Sequence, residues 1–225
     1  EHFRERWEHF RERWEHSREL WEHSRGWNSW TSMHILGLPG KWPAASKEAS
    51  VSMMLPTMTA EERDAILEAV RDFAGAELAP FALERDERKE FPIECLRRAG
   101  QLGLGGICVR EDVGGSALGR FDAVAIFEEL AKGDPAIAAY ISIHNMVASM
   151  IDSYGTDSQR EEWLPGLTTM DQLGSYCLTE PGAGSDANSG KTKAVLSEDG
   201  KYYNITGQKM WISNAGFCSL FIVFA

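Results

Sequence analysis

The apolar residues of this 225-residue chain change their period near residue 173, and that change limits the possible folds more than any other feature. Upstream they recur every three or four residues, the spacing of a helix with one buried face; downstream they fall in short β-prone runs. Thr59 and Glu62 have capping-box spacing, and Ile66, Leu67, Val70, Phe73 and Ala74 continue a helix up to Pro80. Pro92 starts a second helix through Ile93, Leu96, Ala99 and Leu102, which Gly103 is placed to end. Residues 121–131, 135–153 and 157–170 carry the same periodicity. Beyond Leu173, residues 193–196 and 202–206 flank Asp199-Gly200, a strong hairpin signal, and residues 209–213 and 220–225 read as further strands. The expected class is α+β: an α-helical bundle over 59–172, then the start of a β domain over 173–225. A ligand cleft is expected where the two meet.

The rest of the chain constrains function mostly by exclusion. Residues 1–26 repeat a seven-residue unit (EHFRERW twice, then EHSRELW) that puts Trp7, Trp14 and Trp21 on one helical stripe with Phe3 and Phe10. Four short units with Ser17 and Ser24 in place of phenylalanine favour an appended helix or low-complexity stretch over a coiled coil for self-association. Its histidines are seven apart, whereas ligand pairs on a helix need three or four, so solvated histidines are expected and no metal. Residues 27–58, rich in Ser, Gly, Pro and Trp, read as a linker. Seven Glu against six Arg in the repeat leave nearly all of the net charge of -11 in the remainder, which argues against nucleic acid as a partner. Cys95, Cys108, Cys177 and Cys218 are widely spaced, as in a reducing compartment, and no apolar run is long enough for a membrane span. Residues 105–119 are too glycine-rich for a helix and lack phosphate-loop spacing, so a structured turn between helices is expected. His144, the sole histidine after residue 58, is expected to be a satisfied helix residue.

The segment YCLTEPGAGSDA, residues 176–187, sits at the junction. Pro181, Gly182, Ala183 and Gly184 turn the chain tightly, small residues admit a close ligand, and Thr179, Ser185 and Asp186 add polar groups. On its own the segment serves equally as a polar turn or as a binding loop, and Trp211, in an expected strand, reads as core. Together, YCLTEPGAGSD and KMWISNAG (209–216) resemble the paired flavin-binding signature of the acyl-CoA dehydrogenases, and the likeness extends from about Thr59 to Ala225. The resemblance implies that the β domain is a barrel-like middle domain, here partial. It also implies that FAD is lined by Tyr176, Cys177, Leu178, Thr179, Glu180, Pro181, Gly182, Ala183, Gly184 and Ser185 on one side and by Trp211, Ile212 and Ser213 on the other. Thr179 would bond the flavin ring, Ser185 would reach the acyl-CoA, Trp211 would pack on the isoalloxazine, and the Ser213 hydroxyl, where many relatives have threonine, would face N5.

The implied reaction is α,β-dehydrogenation of an acyl thioester, in which a carboxylate takes the α-proton and FAD accepts the β-hydrogen as hydride. In the family the base, a glutamate, comes from a helical domain after the β domain, so no residue here matches it and the catalytic set is empty; Glu180 is framework. The segment AYISIHNM (139–146) and the sixteen residues that follow Ser149 look most like the branch that handles isobutyryl-CoA in valine breakdown, with Tyr140 near the end of the acyl cavity. An electron-transferring flavoprotein as electron acceptor, a homotetramer, and the mitochondrial matrix in a eukaryote (otherwise the cytoplasm) follow from the resemblance. An acyl-CoA oxidase, or a non-catalytic interaction protein with a vestigial flavin fold, are the competing readings. A chain that begins at Glu1 without methionine and ends at Ala225 within a strand-like run is expected to be an amino-terminal fragment, lacking the carboxy-terminal helical domain and inactive by itself.

Overall fold

A computed structural model describes residues 34–35 and 57–225. The heptad repeat over 1–26 and most of the linker over 27–58 lie outside the described residues. Among the described residues, six α-helices precede the main strands: α1 (Ala60–Phe73), α2 (Ala82–Arg88), α3 (Ile93–Gln101), α4 (Arg120–Gly133), α5 (Pro135–Tyr154) and α6 (Asp157–Thr168). Strands β2 (Gly174–Cys177), β3 (Lys193–Leu196), β4 (Tyr203–Thr206) and β5 (Leu220–Val223) follow. One two-residue strand, β1 (His34–Ile35), lies within the expected linker and pairs parallel with β5. A pairing so distant in the chain leaves no mark in local periodicity.

Local chemistry sets most of these boundaries. Thr59 and Glu62 form the expected capping box at α1, each accepting the other's backbone N–H, and Thr156 with Gln159 repeats the device at α6. Asp134 caps α5 by accepting from the N–H groups of Ala136 and Ile137, with Pro135 in the first turn where a missing N–H costs nothing. Gly103, at φ 75°, closes α3: its N–H bonds the Gly100 carbonyl and that of Leu104 bonds Ala99. Helix α1 runs on into a π turn, Ala74–Leu78, and the end of α4 lies against it so closely that a Cβ on Gly133 would sit 2.9 Å from the Ala74 carbonyl oxygen.

Two apolar clusters form the core. Leu78, Leu96, Ile107, Ile126, Leu130 and Ile141 fill the interior of the bundle. Val147, Ile151, Trp163, Leu164 and Leu167 meet Leu220 and Ile222, so this second cluster joins α5 and α6 to strand β5. Strand β5 pairs parallel with β2, in register Gly174 to Leu220 and Cys177 to Val223. Strand β2 in turn lies directly on α5, where a Cβ on Gly174 would stand 2.6 Å from the Val147 side chain. The β3–β4 hairpin is separate, with Gly200 at φ 70° in the turn that Asp199-Gly200 signals.

Polar side chains of α5 secure its neighbours. The glycine-rich 105–119 segment is a structured turn, as expected, and Asn145 and Asp152 hold it from one face of the helix, two turns apart. Asn145 accepts from the Ile107 N–H at 2.8 Å and donates to the Leu104 carbonyl at 2.7 Å. Asp152 accepts from Arg110 at 3.0 Å and from buried Arg160 at 2.9 Å, and Arg160 reaches on to Asp112. His144 is fully buried: Nε2 donates to the Leu167 carbonyl at 2.8 Å and Nδ1 accepts from the Gly174 N–H at 3.1 Å. The ring is therefore a neutral joint between α5, the end of α6 and the start of β2.

Burial pushes the His144 ring down to about 4 from its ordinary 6.5. Between those values the unfolded chain binds a proton that the folded chain refuses, so stability should be full above 6.5 and fall on acidification toward 4. Urea unfolding of the protein and of His144→Gln across that window tests this: the variant should be weaker at neutral pH but show a shallower loss. Parallel losses in the two would remove His144 as the cause.

Candidate functional site

At the carboxyl end of β2 the chain turns back on itself between Glu180 and Ala183, whose backbones exchange hydrogen bonds of 3.0 and 3.1 Å around Pro181 and Gly182. A Cβ added at Gly182 or Gly184 would meet nothing within 4 Å, so the outer side of the turn is open. Ser185 and Asp186 follow on the exposed side, and Ala183 is buried beneath. The N–H groups of Gly182, Gly184 and Ser185 have no partner among the described residues.

The fold brings the second motif against this turn. The Met210 N–H donates to the Thr179 carbonyl at 3.0 Å. Lys209 Nζ donates to the Leu178 carbonyl at 3.0 Å and to Glu180 Oε1 at 2.7 Å. Ser175 Oγ donates to the Ser213 carbonyl at 2.8 Å, and Asn214 Nδ2 donates to the Gly174 carbonyl at 3.1 Å and to the Tyr140 carbonyl at 3.2 Å. Every residue named from sequence for the cofactor thus lies in one of two segments clamped side by side, while Tyr140, named for the acyl cavity, lies in α5.

Residues 209–213 are not the expected strand. They pair with nothing in extended ladder form; after the Met210 bond the chain takes φ 58° at Trp211 and φ 67° at Asn214, which no strand accommodates. The apolar alternation of Met210 and Ile212 satisfies a strand pattern, but β4 already pairs with β3 alone and the bonds to the Leu178 and Thr179 carbonyls take precedence. The reading of Trp211 by itself as core is corrected as well: the residue is 84% exposed, with no ring partner among the described residues. A large aromatic held out in a left-handed conformation beside an open glycine turn offers a flat face to a planar ligand. The half-buried Thr179 and Ser213 hydroxyls lie on the two sides of the clamp and are free to bond such a ligand's polar edge.

The electrostatics favour binding over chemistry by the chain's own groups. Glu180 is 6% exposed and accepts from the N–H groups of Lys191 at 2.6 Å and Thr192 at 3.0 Å besides Lys209. The Lys191 N–H first, and then the Lys209 ammonium, hold its carboxyl down to about 2. So weak a base cannot take a proton from carbon near neutral pH, in keeping with a framework role. Burial pushes the Cys177 thiol up to about 11, which leaves it protonated and non-nucleophilic. Among the described residues, no group of His, Cys, Asp and Glu side chains has metal-ligand geometry, and no helix is long and apolar enough to cross a membrane.

Three features of this junction were not singled out from sequence: Lys209 as the partner of Glu180, Asn214 as the link to α5, and the Phe91–Phe217 stack, 4.3 Å between ring centroids, that covers the end of the second segment. The first had a signal, since a lysine opening KMWISNAG faces a glutamate in the companion motif. The other two depend on residues brought from far along the chain.

A helical bundle handing over to strands, with two motifs clamped at the handover, is the arrangement of the flavin-dependent acyl-CoA dehydrogenases. The acyl-CoA dehydrogenase N-terminal domain matches residues 60–171 and the middle domain of the same family matches residues 175–225; the chain belongs to the acyl-CoA dehydrogenase family. It is 51% identical over 152 residues to the mitochondrial isobutyryl-CoA dehydrogenase of Dictyostelium discoideum, covering 68% of this chain and 36% of that protein. To the isobutyryl-CoA dehydrogenase of Bos taurus it is 42% identical over 179 residues, 79% of this chain and 42% of that one. The solved acyl-CoA dehydrogenase from Bacillus anthracis, in complex with FAD, superposes with a TM-score of 0.69 at 35% identity, over 78% of this chain and 31% of that one. The chain therefore spans less than half the length of these relatives.

The Glu180–Lys209 pair can be tested by acid unfolding. A carboxyl held near 2 contributes stability above its ordinary 4.5, and that contribution is lost as pH falls from there toward 2. Lys209→Met should be less stable than the unaltered protein at pH 7, with a difference that shrinks steadily below 4.5. A difference independent of pH would show that the pair does not act through Glu180.

Proposed function

We propose that the protein catalyses FAD-dependent α,β-dehydrogenation of a short branched acyl-CoA of the isobutyryl type, as in valine breakdown. The observation that carries this reading is the clamped pair of segments, with Trp211 bare on one side and the open Gly182–Gly184 turn on the other. The 51% identity to an isobutyryl-CoA dehydrogenase supports the substrate class. Bound FAD would supply the two-electron acceptor that takes the β-hydrogen as hydride.

The chain's own residues bind and orient. Trp211 would hold the isoalloxazine against its exposed ring and keep water from it, and the Thr179 and Ser213 hydroxyls would bond the cofactor's polar atoms. Backbone N–H groups after Gly182 face phosphate or carbonyl oxygens, and Ser185 reaches the acyl-CoA. Glu180, already ionised and bonded to three donors, keeps the turn in shape and takes no proton. The α-proton goes to a carboxylate outside the site described here, the role that the resemblance gives to a glutamate of a following helical domain. An electron-transferring flavoprotein would be the electron acceptor, and the enzyme would be a homotetramer, in the mitochondrial matrix if the source is eukaryotic.

Full-length protein should purify yellow, and anaerobic isobutyryl-CoA should bleach the flavin absorbance faster than a long straight-chain acyl-CoA does. A colourless protein that ignores added FAD would sink the reading; oxygen consumption in place of transfer to an acceptor would make it an oxidase. Residues 1–225 alone should yield no enoyl-CoA, because Glu180 is the carboxylate of the motif and is too weak a base. Measurable turnover by that polypeptide would refute the assignment of the base elsewhere.

A further inference from the structure

Asn214 is 4% exposed, stands at φ 67° and is the point where the second cofactor segment meets the helical half. Its two amide hydrogens reach carbonyls of different elements, Tyr140 in α5 at 3.2 Å and Gly174 at the start of β2 at 3.1 Å. Its own carbonyl accepts from the N–H groups of Phe217 and Cys218, both at 2.9 Å, closing the turn that follows. Oδ1 is buried and without a partner, so the amide cannot be turned over: the reverse orientation would aim that oxygen at two carbonyls.

These bonds lie immediately after the stretch whose placement matters. Ser213, the preceding residue, is held to β2 through its carbonyl by Ser175, and Trp211 is three residues back with its own positive φ. Between Met210, bonded to Thr179, and Asn214, bonded to α5, the chain has three residues in which to present Trp211, Ile212 and Ser213. Fixing both ends of so short a stretch fixes its middle. Asparagine suits this point twice, since it tolerates the left-handed region better than other side chains and carries two donors for two buried carbonyls.

We propose that Asn214 is a positioning residue: through its side-chain amide it sets the height and tilt of the 211–213 stretch against the helical half, and so the geometry with which that stretch meets the flavin. The inference rests on the flavin reading above. Asn214 itself touches neither cofactor nor substrate in this account.

The test uses full-length protein stripped of flavin and titrated with FAD, with hydrogen exchange across residues 209–218 followed in the same samples. Asn214→Gly keeps the positive φ free of strain and removes both donors; Asn214→Ala removes them and adds strain. Ile126→Val, in the bundle core, serves as a control for ordinary loss of packing. Asn214→Gly should raise the Kd for FAD about 10-fold and speed exchange across 209–218, and Asn214→Ala should do more. The control should keep the original affinity and loop exchange. Should Asn214→Ala fail to fold, Asn214→Gly decides alone. An Asn214→Gly protein that binds FAD as tightly as the original overturns the positioning role and leaves the flavin reading standing. An unaltered protein that takes up no FAD overturns both.

Discussion

Helix α5 supplies, from inside a buried interface, partners for backbone polar groups of the glycine-rich segment, of α6 and of β2. A buried N–H or carbonyl left without a partner costs on the order of 1–3 kcal/mol, so each such group in effect selects the side chain that faces it. His144 answers a carbonyl of α6 and an N–H of β2, Asn145 answers both ends of a bend in the glycine-rich segment, and Asp152 gathers two arginines. Gly174 completes the interface by having no side chain where one would strike Val147. With the apolar cluster that joins α5 and α6 to β5, this set fixes the sheet against the bundle.

The candidate site inherits its precision from that interface. Strand β2 is placed by α5 and β5, and the turn at 180–183 begins three residues past it, so its backbone is held close to a rigid element. The second segment has no ladder of its own and is registered by one backbone bond, Met210 to Thr179, and by side chains: Lys209 to the turn, Ser175 and Asn214 to the strand and helix. Charge is used sparingly. One buried carboxylate meets one ammonium and two N–H donors, an arrangement that keeps Glu180 ionised and shaped but removes it from proton transfer. What remains open, an aromatic face, two hydroxyls and bare turn N–H groups, is suited to holding a flat, polar-edged cofactor and leaves the acid–base chemistry to another group.

Two domain matches in tandem, covering residues 60–171 and 175–225, agree with the handover from helices to strands at the same place.

Much of this was legible in the amino-acid order. Five of the six helices, the Asp199-Gly200 hairpin and the last strand follow from periodicity, capping residues and turn chemistry, all of which act within a few positions of one another. The inert character of His144 could be read the same way, whereas the two signature segments stood out only through their resemblance to the acyl-CoA dehydrogenases. Short α2, with no buried residue, carries no apolar stripe to announce it. Other features required the folded chain. That residues 209–213 are irregular, that Trp211 faces outward, and that Lys209 and Asn214 hold the segment in place are settled by bonds to groups 31, 29, 74 and 40 positions away. A local pattern can favour a strand or a buried tryptophan, but it carries no information about which distant carbonyls will need a donor, and burial of those carbonyls is what decided the outcome.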